Sequence, residues 1–578
     1  MVYVLGATLG HNATAALSKD GKIVACASEE RFSRKKNHYG YPEKAIKFCT
    51  DFCKITPQEL DLVVLASHIT PPLVAQGGDI REASREDKKL NWFTALSKVR
   101  SSLQRLKPLE TNSYMRVAPA FAKMTHKKRV EMISSQLGID HNKIISGEHH
   151  LLHAISGIYA SGMSDKDLLV ITVDGEGDML SATVGTFQQG AYKRLASSNF
   201  SDSIGHFYSA VTQYLGMRML EHEHKVMGLA PYAAQERAEE AYKIFKEYLW
   251  IDGLAIKAKV HSHRFLEVLE RELRCVRFDY VAAGAQLLVE RLLCTLVKNA
   301  VAQTNIRDII LSGGVFMNVK ANEKILKLPE ISSLYVVPSC GDESLPIGCC
   351  YHGTKFLNPQ AKLEPVHDLY LGPEYQNNAM RDILLKSEFK FRLCENTIAE
   401  EVAKLLAKGE IVARFSGRMD FGARALGNRS ILADASDPGI VERINKTIKM
   451  RDFWMPFAPV IMEEQAYKYI KDIELLQKIK PHYMMVTFDS TRQAQKDLAA
   501  AMHPYDKTLR PQLINKQTNQ EYYQILVEFG KLTGRYGIIN TSFNIHGEPI
   551  VCSPEDALHT MRNSDLQYLA LGSYLVYK

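Results

Sequence analysis

The sequence predicts an α/β protein of two domains, the first built from two similar halves. Three observations carry this. Short apolar strands alternate with turns over residues 2–28, and the same strand–turn–strand–turn–strand order returns over residues 168–197. Proline and glycine then cluster over residues 353–372, after which a fresh helix and strand pattern begins. The expected domains are residues 1–355 and 370–578.

The first half opens with an apolar strand over 2–6 and a polar turn, 8–12, that carries His11. A second strand over 13–17, a hairpin turn at Lys19-Asp20-Gly21-Lys22 and a third strand over 23–28 follow. A basic, proline-punctuated helical block over about 70–130 reads as an insertion with a solvated surface. Next comes Glu148-His149-His150-Leu151-Leu152-His153-Ala154. On a helix, His149 and His153 share one face one turn apart, which suits a pair of metal ligands. A metalloprotease would need Glu after the first histidine, and His150 stands there. Two readings stand at this point: a metal pair, or packed helix histidines.

The second half has a strand over 168–173, a Gly-rich acidic turn at Asp174-Gly175-Glu176-Gly177-Asp178, and two further strands over 180–187 and 192–197. A buried strand over 308–311 then turns through Ser312-Gly313-Gly314 into a helix carrying Asn318. That geometry lets a ligand approach the backbone closely and favours anions. A strand over 334–337 places Asp342 just past its end, where α/β folds collect ligands. Two duplicated halves of this kind resemble the fold of actin, the sugar kinases and the heat-shock chaperone ATPases.

Beyond the boundary, a helix over 398–408 leads to a strand over 411–415 and then to Ser416-Gly417-Arg418-Met419-Asp420-Phe421-Gly422-Ala423-Arg424-Ala425-Leu426-Gly427-Asn428-Arg429-Ser430. Interleaved arginine and glycine after a strand suit an anion site, since guanidinium binds phosphate or carboxylate in bidentate fashion. A structural arginine loop is the other reading. Lys446, Lys449 and Arg451, after Asn445, add positive charge. A strand over 537–544 ends in the small polar groups Asn540, Thr541, Ser542 and Asn544.

Composition bounds the function. The 578 residues are 46% hydrophobic and 24% charged, ordinary for a globular chain with large cores. No apolar run is read as long enough to span a bilayer, and neither a signal peptide nor a membrane partner is expected. Ten cysteines without a CxxC exclude a disulfide scaffold. Most sit in apolar segments, as Cys26, Cys49, Cys294, Cys349 and Cys350 do, and fit reduced thiols in the cytoplasm. A net charge of +7 suits anionic small substrates and gives little ground for nucleic acid.

In order along the chain, Gly10-His11-Asn12-Ala13-Thr14, Ser28 to Lys36, His149 to Ala154, Asp174 to Asp178, His224 to Tyr232, Gly313 to Asn318, Gly341-Asp342, Gly417 to Ser430, Pro456 to Pro459 and Asn540 to Pro549 resemble the NodU/CmcH family of O-carbamoyltransferases. The resemblance covers nearly the whole chain apart from the basic insertion. It implies an N-terminal duplicated actin-like domain, similar to the enzyme of tRNA threonylcarbamoyladenosine synthesis, and a C-terminal YrdC-like α/β domain. It implies that carbamoyl phosphate and ATP give carbamoyl-adenylate in the C-terminal domain. The carbamoyl group then passes to an alcohol of a small natural product or sugar in the N-terminal domain.

By the same resemblance His11 is the base and Lys36 faces the carbamoyl-adenylate. His149, His153, Asp174 and Asp342 hold a divalent metal, usually Fe(II), and Asp178, Gly313, Gly314 and Asn318 hold the nucleotide. Arg418, Arg424, Lys449, Arg510, Asn540 and Ser542 receive ATP and carbamoyl phosphate, with Mg2+ as the expected counter-ion. Two departures stand out: Asn12 where the family has Asp after the base, and His546 where it often has Arg. The alternatives are a threonylcarbamoyl-type tRNA-modifying enzyme, a sugar-kinase-like phosphotransferase and a non-enzymatic ATP-binding scaffold.

Overall fold

The computed structural model describes residues 1–69 and 126–578. The expected basic insertion therefore lies outside the described residues, except for its end. There Arg129 is buried, not solvated: its guanidinium donates to the carbonyls of Ser67 and Ala66 at 2.6 and 2.8 Å.

The described residues form two compact units. The first comprises residues 1–226, 233–317 and 328–367; the second comprises 227–232, 318–327 and 368–578. The short stretches 227–232 and 318–327 were expected in the N-terminal domain. The second of them, around helix Val319–Leu326, is bound into the second unit by charge and hydrogen bonds. Lys320 pairs with Asp506, Lys327 with Asp489, and the Asn322 amide donates to the carbonyl of Met485.

Duplication in the first unit is explicit in strand order. Strands β1 (Tyr3–Thr8), β2 (Thr14–Lys19), β3 (Lys22–Ser28), β4 (Leu62–Ala66) and β5 (Ile144–Gly147) form a sheet ordered β3-β2-β1-β4-β5. Strands β6 (Leu168–Gly177), β7 (Leu180–Gln188), β8 (Ala191–Asn199), β9 (Asp308–Ser312) and β10 (Ser333–Val336) form a second sheet ordered β8-β7-β6-β9-β10. In both, the first three strands pair antiparallel and the last two join parallel. The inner parallel strands β4 and β9 are buried on both faces, which is why they read as near-unbroken apolar runs. This is the duplicated actin-like fold.

One expected turn is a strand. β6 continues through Asp174-Gly175-Glu176 to Gly177, with a register irregularity against β7 between Val173 and Gly177. The glycines mark a bulge that bends the strand end and re-aims its side chains; they do not end it. The first unit also contains helix Phe278–Thr304, which by length and composition alone is apolar enough to cross a membrane. Glu290, Arg291 and Lys298 interrupt its apolar pattern, so it does not stand out along the chain as an apolar run. In its most apolar window 67% of the residues are buried within the protein.

The second unit is built on an eight-stranded mixed sheet. Its spatial order is Lys390–Leu393, Tyr574–Tyr577, Tyr568–Leu571, Val412–Phe415, Arg429–Asp434, Gly537–Ser542, Ala458–Met462 and Gln512–Ile514. Helices Ile398–Ala407 and Gln520–Thr533 cover it through Val402, Leu406, Ile525 and Phe529.

Candidate functional site

Helix His149–Ala160 begins immediately beyond β5, and its first turn is fixed three ways. The Glu148 carboxylate accepts from the backbone N–H groups of His150 and Leu151, satisfying donors that a helix start leaves orphaned. Asp178 accepts from His149 N at 2.8 Å, and also from the backbone N–H groups of His68 and Ile69. Ser67 Oγ lies 2.9 Å from His149 Nδ1, and Ser312 Oγ lies 3.3 Å from His153 Nδ1. Each serine holds the inner ring nitrogen, so both Nε2 atoms point the same way.

They point at two carboxylates. His149 Nε2 lies 3.1 Å from Asp174 Oδ2 and 3.5 Å from Asp342 Oδ1; His153 Nε2 lies 3.3 and 3.8 Å from the same atoms. Asp174 comes from β6 and Asp342 from the turn after β10. All four donor atoms fall within 4.8 Å of one another. Ligands about 2.1 Å from a shared cation stand roughly 3.0 to 3.4 Å apart, so this set fits a divalent ion. The serine contacts are the outer shell that such histidines need. Electrostatics agree. Burial opposes charge on His149, yet Asp342 and Asp174 outweigh it and lift the imidazole to about 9. Asp174 is held well below the carboxylate range; burial opposes this, and the two histidines overcome it. A cation would take the place of those protons. His150, between the ligands, faces the other way onto Thr172 and is kept neutral by burial and by its two histidine neighbours.

Glycine is required here for close approach. Gly313 has φ +97°, and Gly314 stands where a Cβ would come within 2.8 Å of Asp174 Oδ1. The Gly314 N–H donates to that oxygen at 3.3 Å. Thus Gly314, expected at the nucleotide, first of all orients Asp174. Asp178 is likewise committed to backbone donors. Asn318 caps helix Val319–Leu326 through Ala321 N, in a segment that clusters with the second unit.

His11 lies in the β1–β2 turn, three residues after Thr8, whose hydroxyl reaches the carbonyl of Asp342 at 3.3 Å. Its Nε2 is buried without a hydrogen-bond partner among the described residues. Asn12 has φ +55°, a left-handed backbone that Asn adopts readily. Lys36 Nζ pairs with Glu221 Oε1 at 3.0 Å. Glu221 was not singled out from sequence; a lone glutamate in a polar run carries no signal until its partner is known.

In the second unit the named residues divide. Arg418 donates to the carbonyls of Leu371 and Gly372. Arg429 is fully buried over Phe415 and bonded to the carbonyls of Ser416 and Gly417. Lys449 ends a π-helical turn with its ammonium among the carbonyls and side-chain oxygens of Ser542 and Asn544. These three are engaged by the protein's own oxygens. Arg424 and Arg510 instead face each other and Arg451. Burial and Arg424 bring Arg451 down to about 10; Arg510 falls well below the guanidinium range through burial and then its two neighbours. No carboxylate offsets Arg451 or Arg510 among the described residues. Asn540 donates to the carbonyl of Ala425 and to Gln512, beside this trio, and its Oδ1 has no partner among the described residues. His546 is exposed. A cavity of about 530 Å³ opens over Ser416 and Gly417, lined also by Glu374 and by Glu521, whose carboxylate pairs with Arg414 at 3.1 Å.

Fold and site together define a two-unit enzyme: an actin-like unit with a His2Asp2 cluster that could hold a cation, and an α/β unit in which Arg424, Arg451 and Arg510 cluster. The chain belongs to the carbamoyltransferase family. Residues 4–351 match the family described as Carbamoyltransferase N-terminus and residues 403–578 match Carbamoyltransferase C-terminus. It is thus an enzyme of the O-carbamoyltransferase class.

The chain is 29% identical to nodulation protein NolNO of Sinorhizobium fredii over 99% of this chain and 79% of that protein. It is 32% identical to nodulation protein NolO of Bradyrhizobium diazoefficiens over 74% and 78%. It is 30% identical to an uncharacterized protein of Methanocaldococcus jannaschii over 100% and 99%. Among solved structures, T. kodakarensis HypF aligns with 62% of this chain and 48% of its own, at 11% identity and a TM-score of 0.34.

Proposed function

We propose that the chain is an ATP-dependent O-carbamoyltransferase with a cytoplasmic, small-molecule hydroxyl acceptor, and that its two units divide the chemistry. In the second unit, water splits carbamoyl phosphate to carbamate and phosphate, and a carbamate oxygen then attacks the α-phosphorus of ATP, forming carbamoyl-adenylate as the bond to pyrophosphate breaks and pyrophosphate leaves. In the first, an acceptor hydroxyl attacks the carbamoyl carbon; the C–O bond to AMP breaks and AMP leaves. The observation that carries this reading is the trio Arg424, Arg451 and Arg510. Arg424 depresses Arg451, both depress Arg510, and no carboxylate among the described residues offsets Arg451 or Arg510, an arrangement that suits polyanionic phosphate. The neutral Asn540 Oδ1 beside them suits an amide N–H donor such as that of a carbamoyl group.

In the first unit His149, His153, Asp174 and Asp342 would hold the cation, which we take to be Fe(II) because mixed imidazole and carboxylate ligation suits it. Bound there, the cation supplies charge to anchor the adenylate phosphate and polarise the carbamoyl group. His11 Nε2, buried and without a partner, is placed to take the proton from the acceptor hydroxyl. Lys36, steadied by Glu221, supplies positive charge for the departing AMP. No nucleic acid or membrane partner is needed.

The test is His153→Ala assayed for two activities. Pyrophosphate release from ATP and carbamoyl phosphate should persist, while metal content and carbamoyl transfer are lost. Loss of both activities in the folded variant would overturn the division of labour, and failure of the wild type to release pyrophosphate would overturn the adenylate.

A further inference from the structure

A second cluster of metal-ligating groups stands in the first unit outside the set just described. Glu176, His206 and His263 each offer one donor atom, all within 4.8 Å of one another. They come from three separate elements: β6, helix Ile204–Tyr214 and the turn Ser262–Arg264. The carbamoyl chemistry above uses none of them.

The local hydrogen bonds leave the right lone pair on His206. Ser262 Oγ donates its single proton to the carbonyl of Phe200 at 3.0 Å, so toward His206 Nδ1, 3.1 Å away, it must accept. His206 is therefore protonated on Nδ1 and carries its lone pair on Nε2. That atom faces the backbone of Gly175, where a Cβ would stand 3.6 Å away. The helix is pinned at this point. Ser203 Oγ caps it at His206 N and also donates to the carbonyls of Asp174 and Gly175 at 3.3 and 2.6 Å.

His263 is oriented from behind by His261, with ring centroids 5.0 Å apart and planes at 20°. Its ring lies 5.1 Å from that of His206. His263 Nε2 is 4.0 Å from Glu176 Oε2. A small rotation of the part-exposed glutamate closes that gap to the roughly 3.4 Å that tetrahedral ligation requires. Glu176 is two residues after Asp174 on the same bulged strand, so the two donor sets adjoin.

We infer that Glu176, His206 and His263 form a second divalent transition-metal site, of the two-histidine, one-carboxylate kind that takes Zn(II) or Co(II). Three protein ligands leave at least one coordination position, and the exposure of Glu176 and His263 opens it to a solvent or substrate oxygen. A hydroxyl or phosphate oxygen is the ligand chemistry such a position accepts. The assignment does not depend on the carbamoyl-adenylate.

The experiment is a Co(II) titration of tag-free, chelator-stripped full-length protein, read by equilibrium stoichiometry and by visible d–d absorption. The wild type is expected to bind two equivalents. His263→Ala and, separately, Glu176→Gln should each remove one equivalent and its absorption band, while His153→Ala removes the other. Both variants of the second site alter exposed residues, so circular dichroism should match the wild type. A wild type that stops at one equivalent, or a second equivalent that survives both His263→Ala and Glu176→Gln, overturns the inference. Neither outcome bears on pyrophosphate release, which tests the proposed function separately.

Discussion

Gly177→Ala should disable the primary cation site without touching a ligand. An ideal Cβ at Gly177 falls 2.1 Å from both Cγ and Cδ2 of His149 and 2.6 Å from its Nδ1. Non-bonded carbons settle at about 3.5 to 4.0 Å, so the imidazole must retreat by on the order of 1 Å. It has little freedom to do so: its side chain is 4% exposed and its Nδ1 is tied to Ser67 Oγ. Metal–ligand distances tolerate only about 0.2 Å, so Nε2 is carried out of ligation. Losing an outer-shell partner alone costs roughly 10- to 100-fold in affinity, and displacing the ligand itself should cost at least that. Gly177 does not adopt a left-handed backbone, so alanine adds steric pressure and no backbone strain. The accompanying overpacking penalty is about 1 to 3 kcal/mol, seen as a lowered melting temperature of the metal-free protein. The assay is a metal titration of stripped wild type and variant at a temperature where both are folded. Wild-type affinity in folded Gly177→Ala would refute the placement of His149 as a ligand.

The metal-free protein and its metal complex should respond to pH in opposite directions. His149 ordinarily titrates at 6.5 and reaches about 9 in the fold. Its pairing with Asp342 and Asp174 therefore stabilises fully below about 6.5 and fades as pH rises through 9. A cation needs the neutral ring, so the increase in melting temperature on adding metal should grow over the same window; a metal increment that is flat from pH 6.5 to 9 would contradict this. Arg451→Met should weaken carbamoyl phosphate binding by roughly 10- to 100-fold, the worth of a charge-assisted contact. It should leave the phosphate-free protein as stable or more so, because repulsion from Arg424 and Arg510 is relieved. Calorimetric binding together with thermal melts decides it, and a clear loss of phosphate-free stability would mark Arg451 as structural.

Local patterns reached far along this chain. The β1–β3 meander, its repeat at β6–β8 and the His149/His153 helix face were all readable because each depends on periodicity within a few residues. Gly313 and Gly314 were readable as a close-approach point, though what they approach is Asp174. Arginine roles were not readable. Arg418, Arg424 and Arg429 sit in one loop with the same chemistry, yet only Arg424 joins the cationic trio, because backbone carbonyls capture the other two: those of Leu371 and Gly372 hold Arg418, and the loop's own Ser416 and Gly417 hold Arg429. The bulge that keeps β6 extended through Glu176 also escaped detection, since Asp-Gly-Glu-Gly reads locally as a turn.

The sequence by itself determined the α/β class, the duplication, the carbamoyltransferase motifs and the two histidines of the cation site. The family resemblance already pairs them with Asp174 and Asp342; only the tertiary structure decided which serines orient their rings, that Glu221 steadies Lys36, and that Glu176, His206 and His263 converge. The physical reason is range. Helix and strand periodicity follow from backbone geometry over one or two turns. Ligation follows from where sheets of different halves place side chains that lie far apart along the chain, and hydrogen bonds to specific partners then settle each group's charge and direction.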